Sequence, residues 1–588
     1  MFQESSNPGV PAGSPGITPE AVVEELERIL CSRLFARSER LCRFLRFAVE
    51  AALRGEAQQV KEYVVGSEVF GRGSSFDPRV DPVVRVEARR LRSRLKDWYK
   101  GEGRNSPVII ELPTGSYTAV FRERDRAPEA EERIIAVMPF TNLNGDAEGD
   151  YLSDGITEEL IHALTKLNGL RVVAWNSAVR MKGHEEDLRA IRERLGADAI
   201  LRGSVRRAPS HLRVTAQLIE AATGYYLWSE AWDREATDVF AIEEEIAQVI
   251  ANKLRVPPAT GDRLGRKAAN IACYELYLKG RFHWNTRTRE GIDMGIRFFE
   301  EAAAMDPEWP LAWCGLADAY ALRADYGFTA PGDSMPAARD AAETALRLDP
   351  SLGEAWNSRA FIRSMYEWEW EDAERMYRRA IELKPGYALA HLWYGIDFLA
   401  SLGRFDEALR EIDLGLRLDP LAPSMATARG LVLMFARQFQ DARQQFQEIL
   451  RQYPLSWRPW GNFGRLHSVM GEYDKAIEMF EKAYTLGSAE PTLLAALGQT
   501  LALAGRHAEA RALLDEVLRC AQSRFVPLTC MAMIHAALGE TDEALRWLET
   551  GADVRDLRLT IIGVHPAWDS LAGHQRFQML LRRIGLRK

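Results

Sequence analysis

Clustered cysteines are missing from this chain of 588 residues. Its six cysteines are scattered, and no two of them form a Cys-x-x-Cys pair. Disulfide scaffolds and structural zinc sites both need closely spaced thiols, so the sequence predicts neither. We expect free thiols in a reducing compartment.

Long apolar runs and catalytic motifs are missing too. No stretch approaches the roughly 18 uninterrupted apolar residues that a membrane-spanning helix needs. There is no phosphate-binding Gly-x-x-x-x-Gly-Lys-Ser/Thr loop, no His-Glu-x-x-His pair and no Gly-x-Ser-x-Gly or His-Arg-Asp motif. The ten histidines are dispersed without ligand spacing. We therefore expect a cytoplasmic protein that is not an enzyme and uses no metal or cofactor.

A strong charge of one sign is also lacking, but the charge is uneven. The whole chain carries a net charge of -8. Residues 18–125 contain 20 Lys and Arg against 17 Asp and Glu, a balance of +3, so the rest carries -11. A slightly basic first region is compatible with nucleic-acid contact there. Residues 1–17 are rich in Pro, Gly and Ser without a basic or apolar core, which predicts a disordered leader and no signal peptide.

What is present above all is a repeat of 34 or 35 residues in the second half of the chain. Three columns of residues recur in phase: a small residue, an alanine and a proline. The small residues are Ala360, Gly395, Gly430, Gly464, Gly498 and Ala532. The alanines are Ala338, Ala373, Ala408, Ala442, Ala476, Ala510 and Ala544. The prolines are Pro350, Pro385, Pro420 and Pro454.

Each column has a physical reason in a stack of helix pairs. Small residues allow two helices to cross closely, and proline ends the second helix because it lacks an N–H group. Together with aromatic residues at Phe446 and Phe480, the columns resemble the tetratricopeptide repeat (TPR) family over residues 270–560. Residues 561–588 leave the register and predict a capping helix that covers the last repeat.

The TPR resemblance implies an open, concave groove lined by the first helix of each pair, which binds a protein or peptide. Extra residues near Asn285 and an insertion at 325–333 interrupt the first two repeats. We expect the groove to be mixed in charge. The side chains expected to face it are Phe361, Leu392, Thr427, Arg458 and Arg465.

Residues 18–125 predict three helical segments, then a basic helix, then a hairpin. Within the basic helix, Val84, Ala88, Leu91, Leu95 and Trp98 share one face. Between residues 83 and 104 there are eight Lys and Arg against three Asp and Glu. Two short strand patterns flank the Pro-Thr-Gly-Ser turn that follows.

The order of these segments, with Val-x-Val-x-x-Arg-Arg-Leu-Arg-x-Arg-Leu followed by Gly-Ser-Tyr-x-x-x-Phe, resembles the winged helix-turn-helix of OmpR/PhoB-type response regulators. That resemblance implies double-stranded DNA as a partner, with the basic helix in the major groove. Tyr117 is interpreted as a packing residue of the hairpin. The residues that the resemblance assigns to DNA are Arg85, Arg89, Arg92, Arg94 and Lys96 of the helix and Thr114 and Gly115 of the wing.

Residues 132–260, after a linker at 126–131, alternate strand and helix patterns and predict an α/β sandwich. The runs Ala-Val-Met-Pro-Phe, Tyr-Leu-Ser-Asp-Gly-Ile-Thr-Glu-Glu-Leu and Leu-Arg-Gly-Ser-Val-Arg resemble the TolB N-terminal/FlgO-like domain. We expect the helix after the acidic loop to open at Asp154 and Gly155. A calcium loop starting at Asn144 is rejected, because its twelfth position would be Gly155 instead of the required Glu.

The sequence thus predicts a multidomain chain: an α+β winged helix-turn-helix, an α/β domain and an all-α TPR solenoid. The favoured function is a transcriptional regulator that binds DNA through the first domain and a protein partner through the repeats. The alternative is a TPR interaction scaffold that does not bind DNA.

Overall fold

The computed structural model describes most of the chain. The described residues are 18–32, 34–35, 38–56, 59–73, 76–103, 106–123, 133–145, 147–165, 167, 169–183, 187–208, 211–235, 239–254, 271–487 and 490–587. The expected leader and the linker at 126–131 lie outside them. The chain forms two compact units, residues 1–131 and 132–588.

The described residues of the first unit form four helices and a hairpin. Its elements are α1 (Pro19–Cys31), α2 (Glu39–Leu53), α3 (Glu62–Val64) with a π-helical continuation at Val65–Val69, α4 (Val83–Lys100), β1 (Val108–Glu111) and β2 (Val120–Glu123). The apolar face predicted for the basic helix is confirmed, since all five of its residues are buried in the core of the unit. The predicted hairpin is present as well, with β1 and β2 paired antiparallel.

The second unit begins with a six-stranded sheet and its helices. The strands are β3 (Arg133–Val137), β4 (Thr141–Asn142), β5 (Leu170–Val172), β6 (Ala199–Arg207), β7 (His211–Glu220) and β8 (Tyr226–Glu235). The helices are α5 (Ala147–Thr165), α6 (Trp175–Val179), α7 (Leu188–Leu195) and α8 (Val239–Leu254). The strand order is β5-β3-β6-β7-β8, with β4 beside β6. The pairs β3–β5 and β3–β6 are parallel, while β6–β7 and β7–β8 are antiparallel.

Helices cover both faces of this sheet. Side chains of a strand alternate between the two faces, so one strand contributes to both cores. Ile135 and Val137 share a core with residues of α5 and α8, whereas Ala136 packs with residues of α7.

The start expected for α5 is wrong. The helix begins at Ala147, so Asp154 and Gly155 lie inside it. A Cβ at Gly155 would lie 2.1 Å from Cδ1 of Leu278. The glycine therefore serves close packing against the first repeat helix and does not open α5.

Eight helix pairs follow among the described residues of the second unit. The first four are α9 (Ile271–Asn285) with α10 (Arg289–Met305), α11 (Pro310–Asp325) with α12 (Pro331–Leu348), α13 (Gly353–Ile362) with α14 (Trp370–Leu383), and α15 (Ala388–Trp393) with α16 (Phe405–Leu418). The last four are α17 (Pro423–Phe435) with α18 (Phe439–Gln452), α19 (Trp457–Val469) with α20 (Tyr473–Leu486), α21 (Pro491–Leu503) with α22 (His507–Ala521), and α23 (Leu528–Ala537) with α24 (Thr541–Asp553). Helices α13 and α15 continue as π-helical turns at Arg363–Glu367 and Tyr394–Leu399.

The role predicted for the small-residue column is confirmed. A Cβ at Gly430 of α17 would lie 2.8 Å from the ring of Phe446 of α18, and a Cβ at Gly464 would lie 2.9 Å from the ring of Phe480. The alanine column is fully buried. The second helices end two residues before Pro350, Pro385, Pro420 and Pro454.

The chain ends with 3-10 turns at Leu557–Ile561 and Pro566–Leu571 and with α25 (Gln575–Arg583). Leu559, Trp568 and Phe577 of this tail share a core with α23 and α24. The tail also returns to earlier pairs: Trp370 of the third pair donates its indole N–H to Ile584 O at 2.8 Å, and Arg437 pairs with Asp569 at 2.7 Å.

The expected open groove is therefore corrected. The tail lies against the third and fifth helix pairs, and the α/β domain contacts the first, third and fourth. Arg281 of α9 pairs with Glu158 of α5 at 2.5 Å, and Ala174 N donates to Leu418 O at 2.8 Å. Apolar residues in the tail and in the α/β domain cover much of the concave surface, because exposing them to water would be unfavourable.

Candidate functional sites: a basic helix face and a central cavity

The side chains of α4 that are predicted to contact DNA fall into two groups. The first group forms hydrogen bonds or ion pairs within the first unit, and the second group is exposed and forms none with the described residues. Arg92 belongs to the first group, because its guanidinium donates to three backbone oxygens of the hairpin connection. The acceptors are Leu112 O at 2.8 Å, Pro113 O at 3.0 Å and Ser116 O at 2.7 Å. Arg92 thus holds the hairpin connection against the basic helix.

Arg85 and Arg94 are also engaged within the first unit. Arg85 pairs with Glu62 at 2.9 Å and donates to Pro78 O. Arg94 donates to Leu34 O at 2.7 Å and to the Ser38 hydroxyl. These contacts join α4 to the segments that precede it, so both side chains already have partners within the first unit.

Arg89 and Lys96 form the second group, and both are exposed. In the described part of the first unit, neither has a hydrogen bond or ion pair. Arg90, also exposed, pairs with Glu87 of its own helix at 2.9 Å. Val86 beside them is 44% exposed. One face of α4 therefore presents cations around an accessible apolar side chain.

The tip of the hairpin connection carries the two predicted wing residues. Thr114 and Gly115 are exposed, and Gly115 has a φ of +86°, a left-handed conformation that favours glycine. Tyr117 packs as predicted, with its ring 6.5 Å from that of Phe44.

A cavity of about 830 Å³ lies in the second unit, between the inner surface of the repeats, the α/β domain and the C-terminal tail. Side chains three and four residues apart on successive first helices line it, as one face of a helix requires. These sets are Leu389, Leu392 and Ile396 of α15 and its continuation, Ser424, Thr427 and Leu431 of α17, and Arg458, Gly461 and Arg465 of α19.

Four of the five residues expected to face the TPR groove line this cavity: Leu392, Thr427, Arg458 and Arg465. Phe361 does not. It is 1% exposed, and its ring lies 4.7 Å from that of Trp393, which lines the cavity instead. Trp393 of the fourth helix pair thus lies at the cavity wall, where Phe361 of the third pair was expected.

The α/β domain and the tail supply a wall that the sequence did not reveal. Asp154, Trp175 and Arg180 line the cavity from the α/β domain, and Arg558 lines it from the tail. These residues are far apart in the chain and belong to no repeat column, so no periodic signal could have grouped them.

Arginines outnumber carboxyl groups in one part of the cavity. Arg287, Arg458 and Arg558 all act electrostatically on Asp325, which also lines the cavity. Burial raises the pKa of Asp325, and the three arginines oppose that shift. A second carboxyl, Asp397, has its pKa raised well above the ordinary value by burial and by the charge of Asp325. Protonation of Asp397 would therefore leave this region with excess positive charge.

Burial also affects the basic groups of this region. Arg465 donates to Thr492 O at 2.8 Å, and burial together with the nearby Arg558 lowers its pKa to about 10. His565 of the tail lies close enough to Arg465 to be affected by its charge. Burial, Arg465 and Arg437 lower the pKa of His565 to about 3, so its imidazole is neutral at neutral pH.

The described residues bring together no group of three or more His, Cys, Asp or Glu side chains suited to a metal ion. Nor does any helix among them have the length and apolar character needed to cross a membrane.

Comparison with known families matches the α/β domain and the repeats. The model of the HilA/YgeH-like transcriptional regulator second domain matches residues 131–249. Tetratricopeptide repeat models match residues 369–423, 427–487 and 458–523. The predicted TPR repeats are thereby confirmed.

Two curated relatives match parts of this chain. The chain is 33% identical over 239 residues to putative adenylate cyclase 3 of Rhizobium meliloti, covering 37% of this chain and 41% of the relative. It is 21% identical over 357 residues to transcriptional regulator HilA of Salmonella typhimurium, covering 59% of this chain and 60% of HilA. The matches thus span less than two thirds of either relative.

Solved structures that match part of the chain include a tetratricopeptide repeat protein from Parabacteroides merdae. It has 15% identity and a TM-score of 0.34, and the match covers 46% of this chain and all of that one. Another is the human IFIT1 dimer with m7Gppp-AAAA, at 15% identity and a TM-score of 0.38, covering 54% of this chain and 79% of that one.

Proposed function

We propose that this protein is a cytoplasmic, non-catalytic transcriptional regulator that binds double-stranded DNA through its first unit and a protein partner through its repeats. The observation that supports it most is the exposed face of α4, where Arg89, Arg90 and Lys96 are accessible and Val86 lies one helical turn before the first two. The match of residues 131–249 to a domain of transcriptional regulators supports the same function.

The proposal treats the first unit as a winged helix-turn-helix similar to the OmpR/PhoB type. In such a domain a basic helix enters the major groove, where arginine neutralises phosphate and pairs bidentately with guanine. Arg89 and Lys96 are assigned to DNA because their charged groups are accessible. Arg92 is assigned to holding the wing, whose tip at Thr114 and Gly115 would touch the backbone or the minor groove.

The second unit is proposed to receive the signal that the first unit transmits to DNA. The resemblance of residues 132–260 to the TolB N-terminal/FlgO-like domain stays part of this proposal. The repeats suggest a protein partner, and surfaces other than the covered inner one are available for it.

A salt titration tests DNA binding without knowledge of the target sequence, because the phosphate-driven part of the affinity exists for any duplex. The full chain is titrated onto a fluorescent duplex between about 50 and 200 mM salt. We expect log K to fall linearly with log salt. Replacing both Arg89 and Lys96 by alanine should reduce the slope by about 2, one unit for each lost phosphate contact.

A matched control removes two positive charges from exposed second helices of the repeats, with Arg451→Ala and Arg546→Ala. This variant should keep the slope of the parent. If the parent binds no duplex, or if both double variants reduce the slope equally, DNA binding through α4 is refuted. The alternative, an interaction scaffold, would then be favoured. The intramolecular contacts of Arg85, Arg92 and Arg94 are the observation that supports that alternative.

A further inference from the structure

The central cavity has the size and lining of a small-molecule site. Its volume of about 830 Å³ falls in the range of roughly 300–1,000 Å³ that is typical of ligand pockets. Aromatic side chains from three parts of the unit form much of the wall: Trp175 of the α/β domain, Trp393 of the fourth pair and Trp457 of the sixth. Apolar walls with a few polar groups are the usual composition of such sites.

The arginines of the cavity differ from other arginines in the same fold. Arg359, which is buried, pairs with Glu343 at 3.0 Å and with Glu367 at 2.9 Å. In contrast, no described carboxylate forms an ion pair with Arg287, Arg458 or Arg558. Nε of Arg558 is buried and has no hydrogen-bond partner among the described residues. Arg287 and Arg558 are partly buried, whereas Arg458 is exposed at the cavity wall. A cation that is partly withdrawn from water and has no anion beside it is unfavourable, so an anionic ligand would stabilise Arg287 and Arg558 in particular.

Aromatic rings hold two of these arginines in place. The guanidinium of Arg458 lies 4.7 Å from the ring centre of Tyr326 and 4.6 Å from that of Trp457, and that of Arg287 lies 3.5 Å from that of Trp284. Stacked guanidinium groups keep their N–H donors free for a ligand in the plane of the group. The cations are therefore positioned in advance of any ligand. Burial raises the pKa of Asp325, the carboxyl group on which all three arginines act.

We infer that the cavity binds a small anionic molecule, whose carboxylate or phosphate group is held by Arg458 and Arg558 and whose aromatic or aliphatic body lies against Trp393 and Leu431. The anion supplies the charge that the cluster lacks, and the apolar walls remove the body from water. This inference stands apart from DNA binding, since no residue of the first unit takes part.

A small molecule is favoured over a peptide because the tail and the α/β domain cover much of the inner surface along which an extended chain would lie. Leu557, Arg558 and Ile561 of the tail themselves line the cavity. The ligand would contact the α/β domain, the repeats and the tail at once. Since it binds only the assembled unit, it should raise the stability of that unit by mass action.

Two fluorescent dyes test the inference on the full chain. 8-Anilinonaphthalene-1-sulfonate is an aromatic anion, and N-phenyl-1-naphthylamine is nearly the same molecule without the sulfonate. We expect one saturable site for each dye. Replacing Arg458 and Arg558 by glutamine should lower the affinity for the anionic dye at least tenfold. The affinity for the neutral dye should change by no more than about twofold.

Three further measurements complete the test. Arg451→Gln, on the outer surface, should leave both affinities unchanged. Thr427→Trp, which fills the cavity from α17, should lower the affinity for both dyes. This variant still tests the inference if the double glutamine variant does not fold. Displacement of the anionic dye by decanoate identifies a carboxylate ligand, and displacement by adenosine monophosphate identifies a phosphate.

The inference is overturned if the folded glutamine variant binds the anionic dye as tightly as the parent, or if neither competitor displaces that dye. It is also overturned if a peptide with a free C-terminal carboxylate displaces the dye but decanoate and adenosine monophosphate do not. In that case the site would be one for a protein terminus.

Discussion

Ser177 of the α/β domain donates its hydroxyl hydrogen to the buried carboxylate of Asp419, at the end of α16, and its oxygen accepts the N–H of Leu421 at 2.8 Å. Asn176 adds a donor to the same carboxylate at 3.3 Å. These bonds fasten the α/β domain to the junction of the fourth and fifth helix pairs, where Asn176 also lines the cavity. The domain and the repeats thus share a group of buried hydrogen bonds at the edge of the candidate ligand site.

Ser177→Ala should destabilise the second unit by about 1–3 kcal/mol, because a buried carboxylate loses its hydroxyl donor and a buried N–H loses its acceptor. Chemical denaturation measures this change. Ser351→Ala is the matched control, since Ser351 donates to Asp349 on an exposed turn. That change should cost less than about 0.5 kcal/mol. Equal effects of the two substitutions would contradict a fastening role for Ser177.

Gly430→Ala should destabilise the repeats by about 1–3 kcal/mol, since the new methyl group would lie 2.8 Å from the ring of Phe446 and overpack the crossing of α17 and α18. Gly332→Ala should act in the opposite direction. That glycine is helical and exposed, and nothing lies within 4 Å of its Cβ position. Alanine there should stabilise the chain by up to about 1 kcal/mol. Thermal unfolding of both variants checks the difference in sign.

Arg92→Ala and Arg89→Ala should affect different properties of the first unit. Without Arg92, three backbone oxygens of the hairpin connection lose their donor, and we expect a loss of about 1–3 kcal/mol in stability. Without Arg89, an exposed side chain is removed, and stability should change by less than about 0.5 kcal/mol while duplex affinity falls. Denaturation and duplex titration of each variant distinguish the two roles. Unchanged stability on loss of Arg92 would refute the bracing role.

Stability should fall with acidification through His565. The pKa of this histidine is lowered to about 3 in the fold by burial and by Arg465 and Arg437. The unfolded chain takes up the proton near pH 6.5. The contribution of the neutral imidazole to the free energy of unfolding is therefore complete above about pH 6.5 and is lost as the pH falls towards 3.

Denaturation of the parent and of His565→Asn across this pH range tests the expectation. The asparagine side chain of the variant can still accept the N–H of Ala567, which the imidazole accepts at 3.1 Å, but it does not titrate. The parent should lose roughly 3–5 kcal/mol relative to the variant between pH 7 and pH 3. Parallel pH profiles would show that His565 does not titrate as inferred.

Local and periodic features could be predicted from the sequence. The apolar face of α4, the small residues at Gly430 and Gly464 and the proline stops all depend on neighbours within about 40 residues, or on a repeat that shows itself several times. Helix periodicity and helix-ending residues are properties of the chain itself. Inner-surface residues such as Thr427 and Arg465 were predicted for the same reason.

Only the tertiary structure decided which of these residues are free to act. Arg92 and Arg89 are chemically alike in the sequence, yet one donates to the hairpin connection and the other is exposed. The cavity joins Trp175, Arg287 and Arg558, which are separated by more than a hundred residues of chain. Such groupings depend on how the tail and the α/β domain bury their apolar surfaces against the repeats. That burial is non-directional and leaves no periodic pattern from which the contacts could be predicted.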